Sequence, residues 1–186
     1  MRLFVALEIP ITTRENLATL IASLRAITRG PRWVRPDNLH VTLKFLGEVA
    51  EDKLAAVETA LGRIRSDRAL TLEFRGLGFF PNEKKPRVFW AGIEASANLQ
   101  TLVADIEGAM EKCGIPREKR EFSPHLTLAR LEGSLPEALR KTIAESAQRQ
   151  FGSLRTGALH LIQSKLKPSG AEYTTLTTFP FSPIVE

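Results

Sequence analysis

His40-Val-Thr-Leu-Lys-Phe-Leu46 is the segment that best predicts the fold, because it returns later in the chain as His125-Leu-Thr-Leu-Ala-Arg-Leu131. The two segments share His, Thr, Leu and a final Leu in register. Each follows a loop that contains proline, and each precedes a segment with helical periodicity. This repetition predicts two related half-units, each of which contributes one strand to a shared site.

Both segments are typical of β-strands, in which side chains at positions i and i+2 project from the same face. His40 is therefore expected beside Thr42, and His125 beside Thr127. The same alternation predicts that Lys44 shares the polar face of the first strand. It also predicts a set of residues that face the core: Val41, Leu43 and Phe45.

Two imidazoles and two hydroxyls are suited to phosphodiester chemistry without a metal ion. A neutral imidazole can take a proton from water while an imidazolium protonates the leaving alkoxide, and a His pKa of about 6.5 makes both states accessible. Threonine hydroxyls can donate to the phosphate oxygens on which negative charge accumulates. The sequence predicts catalysis by His40 and His125, phosphate binding by Thr42 and Thr127, and no metal, since zinc hydrolases normally use three protein ligands.

Other residues near the motifs are weaker candidates. Arg130 would point away from His125 in a regular strand, so a phosphate-binding role for Arg130 requires a bulge or a strand end. Phe4 and Trp33 are candidates for stacking on a base, with core packing as the alternative. His160, which lacks a threonine two positions later, is expected to be structural.

Bulk properties favour a globular protein with a polyanionic partner. The 186 residues are enough for one domain with a real core, and 43% are hydrophobic and 25% charged. The net charge is +5 and the pI about 9.7, which favours nucleic acid. Basic residues cluster in stretches 29–35, 84–87 and 117–120, where solvated loops are the alternative interpretation. A lone Cys113 agrees with a reducing cytoplasm.

The alternation of β-type runs with helical periodicity predicts an α+β fold with mostly antiparallel strands. The first helix is expected to be capped by Thr12 or Thr13, the third to stop at Gly114, and the fourth to run from Pro136 to about Gln150. The second is predicted over 54–64. Strands are predicted at 2–9, 40–46, 70–74, 88–93, 125–130, 159–163 and 173–177.

The sequence resembles the 2′-5′ RNA ligase-like branch of the two-histidine phosphoesterase superfamily over essentially its whole length. Besides the two motifs, the matching residues are Arg2-Leu-Phe-Val-Ala-Leu7, Trp33, Gly78-Phe-Phe-Pro81, Arg87-Val-Phe-Trp-Ala-Gly92, Ser164 and Gly170-Ala-Glu-Tyr173. The resemblance implies one bilobal α+β domain over residues 1–186. In that fold, two mostly antiparallel sheets flanked by helices surround a central cleft.

The resemblance also implies a reaction, the opening of RNA 2′,3′-cyclic phosphate ends to 2′-phosphates. Some relatives join or cleave 2′-5′ linkages in tRNA halves without ATP. By similarity, His40 would be the general acid that protonates the 3′-oxygen, and His125 the base that activates water. Arg130 stands where family members often carry arginine. A cytoplasmic monomer without a cofactor is expected.

Two other functions remain open on the sequence alone. One is a cyclic phosphodiesterase that acts on a nucleotide metabolite, although the basic loops favour RNA. The other is an RNA-binding module whose histidines only contact phosphate. Turnover distinguishes the binding module from an enzyme, because a binding module leaves cyclic-phosphate RNA unchanged.

Overall fold

The computed structural model describes residues 1–183, and both motif segments form strands in it. The helices are α1 (Ile11–Ile27), α2 (Leu54–Leu61), α3 (Asn98–Lys112) and α4 (Glu137–Glu145). The strands are β1 (Arg2–Glu8), β2 (Arg32–Trp33), β3 (His40–Glu48), β4 (Leu70–Phe80), β5 (Val88–Ala95), β6 (His125–Arg130), β7 (Gln150–Thr156), β8 (Ala158–Lys167) and β9 (Gly170–Pro180).

The strands form two antiparallel sheets, which confirms the predicted α+β class. The first sheet has the order β3-β1-β8-β9, and the second has the order β2-β6-β5-β4-β7. The motif strands therefore belong to different sheets, β3 at an edge of the first and β6 inside the second. Residues of β3 and β6 nevertheless approach one another, with Cα atoms within 8 Å.

The helices connect the two sheets. Helix α1 follows a strand of the first sheet but packs against β7 of the second sheet and against α4. Helix α3 follows a strand of the second sheet but packs against β3 of the first sheet and against α2. One contiguous apolar core takes buried residues from both sheets and from all four helices of the described chain. Within residues 1–183, no helix has the length and apolar character needed to cross a membrane.

Local sequence signals predict the helix faces well and one helix start poorly. Helix α1 buries the expected stripe from Leu17 to Leu24, and Gly114 follows α3 with a φ of 80°. The predicted cap at Thr12 or Thr13 is wrong, because α1 begins at Ile11 without a side-chain cap. Thr13 is instead fully buried against β7, where a side chain on Gly152 would collide with its hydroxyl.

The prediction for the fourth helix is wrong at its end. Helix α4 stops at Glu145, and Gln150, the predicted helix end, begins strand β7. This strand pairs with β4, which continues to Phe80 rather than ending near Phe74, and Phe151 of β7 is buried in the core. Pairing with a distant strand thus overrides the local helical pattern, as tertiary context commonly does.

Both motif strands contain a bulge at the same place in the repeat. The register of β3 against β1 shifts between Thr42 and Lys44, and that of β6 against β5 shifts between Thr127 and Ala129. One extra residue in a strand reverses the alternation of faces beyond it. The predicted orientations of Lys44 and Phe45 are therefore wrong: Lys44 is only 5% exposed, and Phe45 is 63% exposed.

The buried Lys44 forms an ion pair with Glu107 of α3, whose side chain is 13% exposed. Its Nζ donates to Oε2 of Glu107 over 2.7 Å and to the backbone oxygen of Pro116 over 3.0 Å. The same carboxylate oxygen accepts the backbone N–H of Glu118 over 3.2 Å. These bonds tie β3 to α3 and to the loop that leads into β6.

Replacement of Lys44 with Met is expected to lower the free energy of unfolding by about 3–5 kcal/mol, because the mostly buried Glu107 carboxylate loses its cation. The double variant Lys44→Met/Glu107→Leu should recover most of this loss, since neither charge remains inside. Denaturant titration measures both values. Arg140→Met, which breaks the exposed pair with Glu137, is the control and should change stability little. Equal losses in the single and double variants would contradict this account.

Candidate active site

The two motif histidines are anchored in the same way. Nδ1 of His40 lies 3.1 Å from the backbone oxygen of Asn38, and Nδ1 of His125 lies 2.8 Å from that of Ser123. A carbonyl oxygen can only accept, so Nδ1 carries the hydrogen in both rings. Each imidazole therefore keeps Nε2 for proton exchange with a ligand.

Aromatic rings pack against both imidazoles. The ring of Phe80 meets His125 edge-on, with centroids 4.9 Å apart and planes at 90°. His40 is flanked by Phe4 at 6.4 Å and by Tyr173 at 5.8 Å. Phe4 is only 4% exposed, so it has the packing role that the sequence left open beside base stacking. Phe4 and Tyr173 restrict the orientation of His40.

Trp33 has the alternative role that the sequence left open, which is core packing. It pairs with Ala129 in the β2–β6 register and meets the buried Phe89 edge-on, with centroids 6.1 Å apart.

Thr42 and Thr127 lie on the same faces as their histidines, as predicted from the spacing. In the strand registers, Thr42 is opposite Ala6 of β1, and Thr127 is opposite Trp90 of β5. Both threonines are half-buried. Each motif strand thus presents one imidazole and one hydroxyl on its open face, the arrangement that the chemistry of phosphate binding requires.

Arg130 is brought to the face of His125 and Thr127 by the bulge in β6. The inserted residue is Leu128, which is fully buried, and Arg130 beyond it is exposed. Its partner in the register with β2 is Arg32. The condition for a phosphate-binding role, a bulge between the motif and the arginine, is therefore met.

Arg14 of α1 is a nearby cation that the sequence did not point to. It is close enough to His40 to lower the pKa of that imidazole. Its Nε is buried and has no hydrogen-bond partner in the described part of the chain. In the sequence Arg14 is an unremarkable polar position of an amphipathic helix. Only the packing of α1 against the short turn Pro36–Asn38 brings it to the site.

The groups around His40 shift its pKa in opposite directions. Burial has the largest effect and lowers the pKa of His40, while the bond to the Asn38 carbonyl raises it. The neighbouring cation Arg14 lowers the pKa further, and the Glu8 carboxylate raises it. Glu8 lies opposite His40 in the β1–β3 register, whereas Gly92 is opposite His125. The two motif histidines therefore share their anchor but differ in the residue that lies opposite them in the sheet.

His160 lies on the same face of the first sheet, opposite Ala6 in the β1–β8 register. Its Nδ1 is 3.0 Å from the hydroxyl of Thr178 and 4.0 Å from Oε1 of Glu8. Thr175 donates to the same oxygen of Glu8 over 3.2 Å. Burial lowers the pKa of His160, and Glu8 raises it. These contacts agree with the structural role expected for His160.

Metal ligands do not gather in the described chain. Across residues 1–183, no group of three or more His, Cys, Asp or Glu side chains is placed to hold a metal ion.

Curated proteins with similar sequences share one name. A protein of Archaeoglobus fulgidus, named RNA 2′,3′-cyclic phosphodiesterase, is 37% identical over 96% of this chain and 99% of its own length. A protein of Aeropyrum pernix with the same name is 40% identical over 77% of this chain and 82% of its own.

Solved structures agree with these sequence relatives. TT0787 of Thermus thermophilus superposes with a TM-score of 0.81 and 32% identity, covering 97% of this chain and 98% of its own. E. coli LigT complexed with 3′-AMP superposes with a TM-score of 0.76 and 29% identity, covering 97% of each chain. Residues 7–90 and 93–173 match the sequence model of the LigT-like phosphoesterases. The chain therefore belongs to the LigT-like phosphoesterase family.

Proposed function

We propose that this protein hydrolyses RNA 2′,3′-cyclic phosphate ends to 2′-phosphate ends by acid–base catalysis between His40 and His125. The observation that carries the proposal is the repeated anchor, in which a backbone carbonyl binds Nδ1 of each ring and leaves Nε2 for the substrate. The name RNA 2′,3′-cyclic phosphodiesterase, which the relatives from A. fulgidus and A. pernix carry, supports the substrate class.

In the proposed reaction, water attacks the phosphorus while the bond from phosphorus to O3′ breaks. Nε2 of His125 accepts a proton from the water, and Nε2 of His40 gives its proton to O3′. The hydroxyls of Thr42 and Thr127 donate to the non-bridging oxygens, and Arg130 adds a charge-assisted bond. After the reaction, His125 releases a proton to solvent and His40 takes one up from solvent. Both histidines thereby return to their starting states.

Glu8 supports the assignment of His40 as the acid. A carboxylate opposite an imidazole stabilises the imidazolium, and the corresponding position beside His125 is Gly92. Burial and Arg14 favour the neutral ring of His40 in the free protein. A bound phosphodiester brings a negative charge next to this ring, which raises the pKa. His40 would therefore acquire its proton as the substrate binds.

The same centre can also account for ligation. If an RNA 5′-hydroxyl replaces water as the nucleophile, the product is a 2′-5′ linkage, O3′ again leaves, and no ATP is consumed. We extend the proposal to joining and cleaving such linkages in tRNA halves.

The shared apolar core supports a single bilobal domain, which we propose acts as a monomer in the cytoplasm.

Hydrolysis is expected to need no metal ion, because the two histidines supply both proton transfers. A cyclic-phosphate-ended oligonucleotide incubated with the protein and a strong chelator should be converted completely to the 2′-phosphate. Chromatography against 2′- and 3′-phosphate standards identifies the product. Loss of turnover with chelator, restored by zinc or manganese, would exclude this mechanism. RNA that stays unchanged under all conditions would instead indicate a binding module.

Single substitutions of His40 and His125 by Ala should each lower the rate by roughly 10²–10⁴-fold, the usual contribution of a positioned proton transfer. The double variant should lose less than the product of the two factors, because the groups act as a unit. An activated aryl phosphodiester, whose leaving group needs no proton, should restore turnover to His40→Ala and not to His125→Ala. Restoration of His125→Ala instead would reverse the assignment.

The rate should also be bell-shaped in pH. It rises as the base loses its proton and falls as the acid loses its own, and the two apparent pKa values belong to the pair. A rate that only rises with pH, without a falling limb, would rule out a histidine as the general acid.

RNA affinity should fall as salt is added, because each phosphate that an Arg or Lys contacts releases a counterion. In a His125→Ala background, which turns over slowly enough for binding to be measured, Arg130→Ala should reduce the slope of log affinity against log salt by about 1. Arg140→Ala is the control, since Arg140 pairs with Glu137 on α4, outside both motif strands and outside the three basic stretches. Equal slopes for all three proteins would mean that Arg130 does not contact the RNA.

A further inference from the structure

Arg14 of α1 is a half-buried cation that forms no ion pair within the described part of the chain. Its Nε is buried without a hydrogen-bond partner, and none of the ion pairs formed within residues 1–183 includes it. Arg75 is the other arginine of this range with a buried, unpartnered Nε, but its guanidinium lies 3.5 Å from the Glu73 carboxylate. A cation that is partly removed from water without an anion is costly, so Arg14 is suited to an anionic ligand.

The first turn of α1, which carries Arg14, also favours an anion. The helix begins at Ile11 with no side-chain cap and with no acidic residue in its first turn. The first backbone N–H groups of a helix have no partner within the helix, and they form the positive end of its dipole. Phosphate groups bind at such ends. The turn and the guanidinium therefore favour the same kind of ligand.

The antiparallel pairing of β1 and β3 places this turn at one end of the proposed reaction centre. Glu8, the last residue of β1, lies opposite His40, the first residue of β3. The chain then continues into α1, which packs against the turn Pro36–Asn38 directly before β3. Arg14 is close enough to His40 to lower the pKa of that imidazole. It therefore lies beyond His40, on the side away from Thr42, which is two residues further along β3.

The connectivity of ribose determines which part of an RNA end meets Arg14. In the proposed reaction O3′ leaves toward His40, so C3′ is the ribose carbon next to that histidine. The 5′ substituent is attached through C4′, which neighbours C3′, whereas the base is attached at C1′, which neighbours C2′. The phosphodiester that joins the terminal nucleotide to the preceding one therefore lies on the His40 side of the ribose, which is also the side of Arg14.

We propose that Arg14 and the first turn of α1 bind the phosphodiester on the 5′ side of the terminal nucleotide, and that this contact selects RNA ends over free cyclic nucleotides. The inference rests on the proposed function, because it takes O3′ to lie at His40. The guanidinium gives this phosphodiester a charge-assisted hydrogen bond. A nucleoside 2′,3′-cyclic phosphate with a free 5′-hydroxyl has no phosphate at this position and leaves Arg14 without a partner.

The test compares two dinucleotides that end in a 2′,3′-cyclic phosphate, one joined by the natural phosphodiester and one by an uncharged methylphosphonate. The wild-type protein should hydrolyse the charged dinucleotide with a kcat/KM higher by roughly 10-fold, about the contribution of one charge-assisted hydrogen bond. Arg14→Gln, which keeps a packed stem and removes the charge, should bring the two values together. Arg14→Lys should retain part of the preference. Arg25→Gln, at an exposed position of the same helix, is the control and should retain all of it.

The ratio of the two kcat/KM values isolates the contact with the phosphodiester. A loss of folded protein or a shifted pKa of His40 changes both values of a variant alike and leaves their ratio unchanged. Equal values for the two dinucleotides in the wild-type protein would overturn the proposal. A preference that persists in full in Arg14→Gln would overturn it as well, because another group would then bind the phosphodiester.

A binding arm separates failure of this inference from failure of the proposed function. Adenosine 2′,5′-bisphosphate and adenosine 2′-phosphate are titrated by calorimetry against the wild-type protein, Arg14→Gln and Arg25→Gln. Tighter binding of the bisphosphate that only Arg14→Gln abolishes supports the phosphate subsite even if no RNA is hydrolysed. Equal affinities of the wild-type protein for the two nucleotides, or a preference that Arg14→Gln leaves intact, contradict it.

Discussion

The residue inserted directly after the motif threonine, Leu43 in β3 and Leu128 in β6, is the constraint that shapes the site. The bulges leave each histidine and threonine facing outward and reverse the alternation beyond them. Beyond the bulge in β3, Lys44 turns into the core and Phe45 turns outward. In β6 the same reversal buries Ala129 and exposes Arg130.

The inward residue beyond the bulge in β3, Lys44, connects the two sheets. Lys44 joins β3 to α3 and to the loop before β6 through its bonds to Glu107 and Pro116. The bonds thereby connect a strand of the first sheet to the segment that leads to His125 in the second. This tie explains in physical terms how two sheets can hold their motif strands close together without sharing a ladder of hydrogen bonds.

The two motif histidines have the same backbone anchor but different chemical environments. Both rings donate from Nδ1 to a carbonyl two residues earlier in the chain, so their tautomers are set by the backbone. Their register partners differ, since Glu8 lies opposite His40 and Gly92 lies opposite His125, and burial lowers the pKa of His40. The repeated backbone therefore supplies two equivalent proton-exchange positions, and residues outside the repeat make them unequal.

Spacing along the chain was enough to predict the strand faces of the two histidines and two threonines, the buried stripe of α1 and the stop of α3 at Gly114. These features depend on intervals of a few residues, which strand and helix geometry converts directly into position. The orientations of Lys44, Phe45 and Arg130 came from the tertiary structure instead, because a bulge is defined by the strand that pairs with it. Contacts between distant segments likewise turned 150–156 into a strand and brought Arg14 to His40, since packing energy there exceeds local preference.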